Sequence, residues 1–389
     1  MKIKIFEGIT RNVFILGLVS LFTDLGSQMV FPLIPLFMVT VLGTGVYAVG
    51  IVEGAAETTA SFLKVVSGYW SDKIGRRKPF VLLGYSLSAI TKPLFAFANI
   101  WSFVLFIRVI ERIGKGIRSA PRDAIVAESS DESVRGKAYG FHRAMDGVGS
   151  VLGAALAYFL LPVFGYRNIF MLAFLPGMIA VFIIMFIKEK KRDSEEHKIN
   201  EMSIKLTFKE LPTNLKLFLM VSVIFALGHF GYAFLLVRVL DIGLADQMAI
   251  LFYIIFYVVY TVCAIPFGIL SDRIGRKTVL RAGYVIFGIT SFGLIFATNI
   301  YSISVLFVSY GIFYAIIDGA QRAFVVDLAP THLKATALGT FHTAIGLVAL
   351  PGGCIAGLLW DKISPETTFI YGLTLTIISL ILFTFVKEK

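Results

Sequence analysis

The chain has 389 residues, of which 57% are apolar and 16% charged, and its formal net charge is +11. Soluble domains usually contain about 25% charged residues. A soluble core of this length would not hide so much apolar surface, so we expect lipid to cover part of it. The basic surplus falls in short segments between apolar stretches, where the positive-inside rule explains it better than nucleic-acid binding does.

Apolar stretches follow one another along the whole chain, and a membrane-spanning helix needs about 20 such residues. In the first half they lie at 12–38, 46–70, 79–98, 101–124, 136–162 and 168–187. In the second half they lie at 215–238, 246–270, 279–297, 301–326, 334–359 and 367–386. We number these stretches as runs 1 to 12. The pattern predicts an all-α polytopic membrane protein with twelve transmembrane helices.

The two halves of the chain repeat each other at one constant offset. Matching residues lie 200 positions apart in four separate segments, among them Gly68, Asp72, Arg76, Arg122 and His142, which recur as Gly268, Asp272, Arg276, Arg322 and His342. Such a parallel repeat is how some transporters build a central site between two halves. We therefore expect two pseudo-symmetric six-helix bundles, 1–187 and 215–389, joined by an amphipathic cytoplasmic linker at 188–214.

Charges in the connections between runs predict the orientation of the helices. The connections after runs 2 and 8 are basic, with Arg77 and Arg281 among their residues, whereas those around Gly43, Asn99 and Asn299 carry no charge. The positive-inside rule places basic connections in the cytoplasm. We expect a multi-pass protein of the plasma membrane with both termini cytoplasmic.

The connection after run 2 carries a recognisable motif. Its sequence, GYWSDKIGRRK at 68–78, resembles the signature loop between helices 2 and 3 of the major facilitator superfamily, and a degenerate copy at 268–277 lies between runs 8 and 9, as in that family. The resemblance covers nearly the whole chain and implies the major facilitator fold. Segments at 118–124 and 135–142 look like a bacterial and archaeal branch of exporters that have no assigned substrate.

The resemblance also implies roles for individual residues. In relatives the signature loop latches the cytoplasmic ends of the two halves in the outward-facing state. Asp72 would cap or pair there, and Arg76 would bridge to Asp123 at the end of run 4. The second half has Ala323 at the place of Asp123, so its latch is expected to be weaker or to use Asp327. The expected latch residues are Gly68, Asp72, Gly75, Arg76, Asp123, Asp272 and Arg276. The alternative is that the basic loop is only a topology signal.

Run 5 contains several glycines. Gly147, Gly149 and Gly153 are similar to the glycine-rich motif of proton antiporters in the same family. Ala154 stands where that motif has a proline, which weakens the argument for antiport. Small residues in a membrane helix also serve simply to let two helices approach closely.

Ionisable residues at membrane depth are energetically costly and are functional candidates by default. Arg108 and Arg112 lie deep in run 4, with Glu111 beside them. The candidates for proton coupling are the carboxylates of runs 1, 2 and 5, namely Asp24, Glu53, Glu57 and Asp146. We predict that one of the two arginines pairs with one of the carboxylates of runs 1 and 2. Lys92 is expected to lie close enough to the outer end of run 3 to snorkel to the surface.

The candidates for substrate binding are polar and aromatic residues at similar depth. They are Arg108, Arg112, His229, Tyr253, Tyr257 and Tyr314. The two arginines either attract an anion or tune a nearby carboxylate in a proton relay. The tyrosines of run 8 stand where the repeat has Glu53 and Glu57, and their rings either line a cavity or pack in a core. His142 and His342 either gate protons or pack, and the sequence does not decide between these roles.

These features predict a secondary active transporter that works by alternating access, as a proton-coupled exporter of small organic compounds. The alternative is an importer or uniporter of an anionic solute or a metal chelate, which the deep arginines suggest. The sequence has no Walker-type phosphate loop and no HExxH or GxSxG element, so we expect neither ATP as the driver nor an enzyme. The expected partners are a small-molecule substrate, protons and the lipid bilayer, without cofactor, metal or nucleic acid. By resemblance the chain is a monomer; substrate, direction and stoichiometry stay open.

Overall fold

The computed structural model describes residues 9–131, 134–189, 211–330 and 333–387. Within these ranges every regular element is a helix. The predicted linker at 188–214 lies largely outside the described residues. The predicted all-α class is confirmed for the part of the chain that the structure describes.

The chain divides into two compact units by its internal contacts. The first unit is drawn from Met1–Ile34 and Thr59–Ile199, and the second from Pro35–Thr58 and Asn200–Lys389. The second unit therefore includes a segment from the first half of the chain. The expected domains 1–187 and 215–389 remain a proposal, because a division by contacts describes one conformation.

In the described part of the first half there are seven helices. They are α1 (Arg11–Val30), α2 (Leu33–Thr40), α3 (Val46–Ile74), α4 (Lys78–Leu94), α5 (Trp101–Glu128), α6 (Arg135–Leu172) and α7 (Phe174–Ile184). A 3-10 turn at Phe95–Phe97 extends α4. The Thr10 side chain caps α1 by accepting a hydrogen bond from the Val13 backbone N–H at 3.4 Å.

In the described part of the second half there are seven further helices. They are α8 (Thr213–Gly228), α9 (Tyr232–Asp241), α10 (Asp246–Ile274), α11 (Arg276–Phe296), α12 (Ile300–Leu328), α13 (Lys334–Lys362) and α14 (Pro365–Thr384). Asn299 begins α12 with a capping box, in which its side chain accepts from the Ser302 N–H and Ser302 binds its backbone in return.

The repeat seen in the sequence extends to backbone conformation. Gly75 lies between α3 and α4, and Gly275 lies between α10 and α11, with φ values of 65° and 92°. Glycine tolerates this left-handed region because it has no Cβ. The two copies of the motif therefore form corresponding turns.

Nine helical stretches in the described residues are long and apolar enough to cross a membrane. One of them, from Gly136 to Ile184, has 49 residues and is broken at Gly165, where φ is 69°. Helices α3 and α5 have 29 and 28 residues but carry several charged residues, and they are not among the nine. The predicted polytopic architecture is confirmed, because the described chain contains several candidate spans.

Two runs that are continuous in sequence are interrupted in the structure. Run 1 forms α1 and α2, which are separated by Phe31 and Pro32. Pro32 has no N–H with which to continue the helix. Run 7 forms α8 and α9, and α8 ends before His229, where ψ is 96° and the backbone is extended.

Tyrosine hydroxyls bind the carbonyl groups at the break between α8 and α9. The Tyr310 hydroxyl donates to the Phe230 carbonyl at 3.1 Å, and the Tyr371 hydroxyl donates to the Leu227 carbonyl at 3.1 Å. Unsatisfied backbone groups in an apolar environment cost several kcal/mol, so a break at membrane depth needs such partners. The two hydroxyls therefore stabilise this irregular segment.

Close helix packing explains two of the glycines of run 5. In the first unit α1 packs against α6 and α7, and α4 packs against α5 and α7. The carbonyls of Leu21 and Leu25 on α1 lie where side chains on Gly149 and Gly153 would begin. A side chain at either glycine would push α1 and α6 apart. This supports the interpretation that these small residues allow close approach.

Candidate functional site

A buried cluster of charges lies in the first unit on α5. Glu111 Oε2 is 3.3 Å from Arg108 Nη1 and 3.4 Å from Arg112 Nε. Arg108 and Glu111 are fully buried, and Arg112 is 6% exposed. The Phe31 ring lies against both guanidinium groups, with its centroid 4.1 Å and 4.9 Å from their central carbons. One carboxylate thus neutralises part of the charge of two arginines.

The sequence placed Glu111 beside the arginines but did not indicate that it is their ionic partner. The signal was present, because residues three apart on a helix are neighbours. The predicted pairing of Arg108 or Arg112 with Asp24, Glu53 or Glu57 stays a prediction.

A second cluster joins α1 and α6 in the first unit. Asp146 accepts a hydrogen bond from the Ser20 hydroxyl. The other carboxylate oxygen of Asp146 lies 3.5 Å from His142 Nδ1. Asp24 is one helical turn beyond Ser20, and its carboxylate is close enough to Asp146 to interact with it electrostatically. Two of the four proton-coupling candidates therefore lie in one cluster with a histidine, a residue type suited to receiving and passing a proton.

Lys92 lies in the interior of the first unit, so the prediction that it snorkels to the surface is wrong. Its side chain is fully buried, and Nζ is 3.4 Å from the carbonyl oxygen of Thr23 on α1. Gly26 on α1 and Gly177 on α7 face the amine, and side chains at these positions would begin 3.3 Å and 3.6 Å from it. The two glycines leave the space in which the lysine is buried.

An aromatic cluster occupies the second unit, where α8, α10, α11 and α12 meet. We define its inner layer as four buried rings, Tyr253, Phe256, Tyr310 and Phe313. We define its outer layer as four half-buried rings, His229, Tyr257, Tyr260 and Tyr314. The rings of the two layers contact each other. The centroid distance is 5.4 Å between Phe256 and Tyr314 and 5.0 Å between Tyr253 and Tyr257. His229 and Tyr314 are 5.7 Å apart.

The structure thus brings together the candidates His229, Tyr253, Tyr257 and Tyr314. Their neighbours Phe256 and Phe313 were not singled out in the sequence. They were detectable, because residues three or four apart on α10 and α12 share one helix face.

Two carboxylates accompany the outer layer. Glu57 lies close enough to His229 and Tyr314 to act on both electrostatically. Asp318 accepts a hydrogen bond from the Tyr260 hydroxyl at 3.1 Å and also binds Arg322. Next to Glu57, the Thr58 hydroxyl donates to the Gly346 carbonyl at 2.6 Å, which fixes this part of α3 against α13. Glu53 similarly lies near Tyr253.

The residues around the signature loop are arranged differently from the expectation. Arg77 binds Asp72 at 3.0 Å and Glu128 at 2.8 Å, whereas Arg76 is exposed. Asp123, the expected partner of Arg76, is bound by Arg122 at 2.7 Å. In this conformation Arg77 makes the ion pairs of the first loop, and the bridge from Arg76 to Asp123 expected for the outward-facing latch stays a prediction. After the turn at Gly75, the second arginine rather than the first faces the helix ends.

The second copy of the loop matches its prediction more closely. Arg276 lies 2.8 Å from Asp327 and 3.5 Å from Asp272. Asp327 is the partner expected if the second half replaces the missing acid at Ala323, and Arg276 does contact it; its part in a latch stays a prediction. The counterparts Asp72 and Asp272 thus each contact an arginine of their own loop.

No group of three or more histidine, cysteine or acidic side chains suited to a metal ion occurs among the residues that the structure describes.

Comparison with known proteins identifies the family. A model of the Major Facilitator Superfamily matches residues 16–253 and 218–389. The chain belongs to the major facilitator superfamily. An uncharacterised MFS-type transporter of Methanocaldococcus jannaschii is 40% identical to it, over 97% of this chain and 95% of the relative. Multidrug resistance protein 2 of Bacillus subtilis is 25% identical, over 90% of this chain and 89% of the relative.

A solved structure supports the same fold. The crystal structure of the nucleoside transporter NupG, as its D323A mutant, is similar with a TM-score of 0.81 and 14% sequence identity, over 97% of this chain and 100% of that one. A chain of the major facilitator superfamily with this fold is a membrane transporter of a solute.

Proposed function

We propose that this major facilitator protein is a proton-coupled exporter of small organic compounds. The observation that carries the proposal is the cluster of Asp24, Asp146, Ser20 and His142 inside the first unit. Carboxylates held at membrane depth are costly to folding, and their usual purpose in transporters is to bind and release protons. Glu53 and Glu57 beside the aromatic cluster are further candidates for the same role.

The proposed architecture has twelve spans in two six-helix bundles, 1–187 and 215–389. Nine stretches qualify by length and composition, and α3 and α5 are long enough despite their charges. The stretch from Gly136 to Ile184 is about twice the 20 residues of one crossing and is broken at Gly165, so it supplies two. An even number of spans is consistent with both termini in the cytoplasm of a plasma-membrane protein, which we propose to be a monomer.

The proposed mechanism is alternating access, in which the two bundles move about a site in the middle of the membrane. The signature loop and its copy would stabilise one of the states. The residues proposed for this latch are Gly68, Asp72, Gly75, Arg76, Asp123, Asp272 and Arg276, to which the observed contacts add Arg77 and Asp327.

The second candidate function is uptake or uniport of an anionic solute or a metal chelate. Its support is Arg112, whose Nη1 is buried and makes no hydrogen bond to any residue that the structure describes. Against it, Glu111 and Phe31 already occupy much of the surface of both arginines. We therefore place the anionic solute second.

The test is proton flux in proteoliposomes that contain a pH-sensitive dye. Pooled cationic, neutral and anionic compounds are added in turn to vesicles with the natural protein. We expect one pool to change the internal pH, and we expect this change to be lost in Asp24→Asn or Asp146→Asn. The control is Asp131→Asn, which alters an exposed carboxylate in the turn after α5 and should keep the response.

Two outcomes would contradict the proposal. If no pool changes the pH although thermal shift detects binding, the protein is a uniporter or uses another ion. If the response persists when Asp24, Glu53, Glu57 and Asp146 are each replaced by their amides, none of these carboxylates couples transport. A response to the anionic pool alone would favour the second candidate function.

A further inference from the structure

The outer rings of the aromatic cluster are less buried than its inner rings. Tyr310 of the inner layer binds the backbone at the break between α8 and α9, and Phe313 packs against Phe225 and Phe287. These inner rings are buried and hold the helices together. Tyr257, Tyr260 and Tyr314 instead keep part of their surface open, which gives up some of the stabilisation that full burial provides.

The rings of the outer layer stand edge to face. The Tyr260 ring is at 88° to Tyr257 and at 85° to Tyr314, with centroids 6.2 Å apart in both pairs. In an edge-to-face pair the edge of one ring meets a face of the other, and because all three tyrosines are half-buried, part of their electron-rich surface stays open. A cation within about 6 Å of such a face is attracted to it, and the attraction strengthens when water is removed.

Carboxylates reinforce this preference. Glu57 acts electrostatically on Tyr314 and His229, two neighbouring rings of the outer layer. Asp318 has Arg322 as its cationic partner. Ring faces, tyrosine oxygens and Glu57 all favour positive charge.

We infer that the outer layer and Glu57 form a binding surface for an organic cation. The surface takes a positively charged group with apolar substituents, which pack between the rings while the charge lies near the carboxylate. This inference rests on the proposed transport function and names the substrate class for it. A neutral solute that stacks on tyrosine, such as a nucleoside or a sugar, would use the rings but would not need Glu57.

The test compares two probes of the same shape and opposite charge, tetraphenylphosphonium and tetraphenylborate. Their binding to purified protein in detergent is measured by isothermal titration, with protein-free detergent as reference. We expect the cation to bind more tightly. Tyr314→Ala and Glu57→Gln should each weaken the cation by roughly threefold to thirtyfold, the range expected for a cation–ring contact, while Tyr314→Phe should retain most of the affinity.

The matched control is Tyr301→Ala, which removes a ring at the start of α12 that is 81% exposed. It should leave the affinity for the cation unchanged. Thermal unfolding of every variant shows whether a lost signal comes from misfolding. Equal binding of the two probes, or cation binding that is indifferent to both Tyr314→Ala and Glu57→Gln, overturns the inference.

The result is independent of proton coupling. If a neutral or anionic pool drives flux in the vesicles and the cation does not bind, the substrate class is wrong and the transport proposal stands. If the cation binds as expected and no pool changes the pH, the substrate class stands and proton coupling fails.

Discussion

Arg76 and Arg77 have the same side chain and different surroundings. The Arg77 side chain is 12% exposed and lies between Asp72 and Glu128, whereas its neighbour is exposed. The backbone of Arg77 is held as well, because its N–H and that of Lys78 donate to the carboxylate of Glu189. The backbone turn at Gly75, rather than side-chain chemistry, decides which arginine contacts the helix ends.

We predict that Arg77→Ala destabilises the protein more than Arg76→Ala does. The first change removes charged hydrogen bonds to two carboxylates, for which we expect a loss of about 1 to 2 kcal/mol in the free energy of unfolding. The second should change it by less than about 0.5 kcal/mol, as is usual at exposed positions. Denaturant titration in detergent micelles measures both. Equal losses of stability, or a larger loss for Arg76→Ala, would contradict the assignment of the stabilising contacts to Arg77.

Individual residues show where sequence reasoning reached its limit. The depth of Arg108, Arg112 and Asp24 along their helices was readable, because each run has a visible start and a known rise per residue. The burial of Lys92 was not readable, because the space for its amine is provided by Gly26 and Gly177, on other helices. Contacts between distant segments decide such cases, and a single sequence does not display them.

At the scale of the helix, the contact between α3 and α13 depends on glycine. A Cβ on Gly54 would begin 2.7 Å from the Ala349 carbonyl, and Gly50 and Gly353 approach each other even more closely through their backbones. Asp361 at the end of α13 accepts hydrogen bonds from the N–H groups of the Val46 and Tyr47 backbone, both at 2.9 Å. The start of α3 is thereby capped by another helix.

We predict that Gly50→Ala destabilises the protein. The added methyl group would overlap the Gly353 backbone, and such overpacking typically costs about 1 to 3 kcal/mol. The matched control is Gly319→Ala on α12, where nothing lies within 4 Å of the added atom. It should be neutral or slightly stabilising, since alanine is the better helix former. Thermal unfolding measures the midpoint temperatures of the two variants. Equal midpoint temperatures would mean that α3 and α13 are not in close contact.

Most helices were predictable from the sequence, whereas their interruptions were not. Apolar runs of sufficient length mark the helices, because a backbone in lipid must satisfy its own hydrogen bonds. The break in run 7 was not predictable from Gly228 and Gly231, because glycine is also common in continuous membrane helices. It is stabilised by hydroxyl groups from α12 and α14, far along the chain.

At the scale of the whole molecule, the internal repeat and the charges of the connections were the strongest sequence signals. The repeat extends to the turns at Gly75 and Gly275, which both adopt positive φ. The candidate binding residues were less predictable. Periodicity places Tyr257 and Tyr314 on helix faces, but the angle at which α10 and α12 pack determines that their rings meet.

We predict that the two ends of α11 face opposite sides of the membrane. This helix has 21 residues, or about 30 Å at 1.5 Å per residue, which matches the apolar thickness of a bilayer. In a Cys263→Ser, Cys354→Ser background, an impermeant maleimide should label Thr298→Cys in intact cells and Arg273→Cys only after permeabilisation. Thr298 follows the end of α11, Arg273 lies in the last turn of α10 just before α11 begins, and both are exposed. The reverse pattern would invert the orientation, and labelling of both from one side would show that α11 does not cross.

The tyrosines of the second unit differ in how freely evolution can change them. Tyr310 and Tyr371 bind carbonyl groups at the break between α8 and α9, so their replacement by phenylalanine would leave those groups without a partner in the apolar interior. Tyr257 and Tyr314 of the outer layer instead keep part of their surface open. If the outer rings contact the substrate as proposed, relatives can diverge in the compounds they recognise by exchanging those rings. The hydroxyl groups of Tyr310 and Tyr371 are under a different constraint, because they satisfy the carbonyl groups at the break.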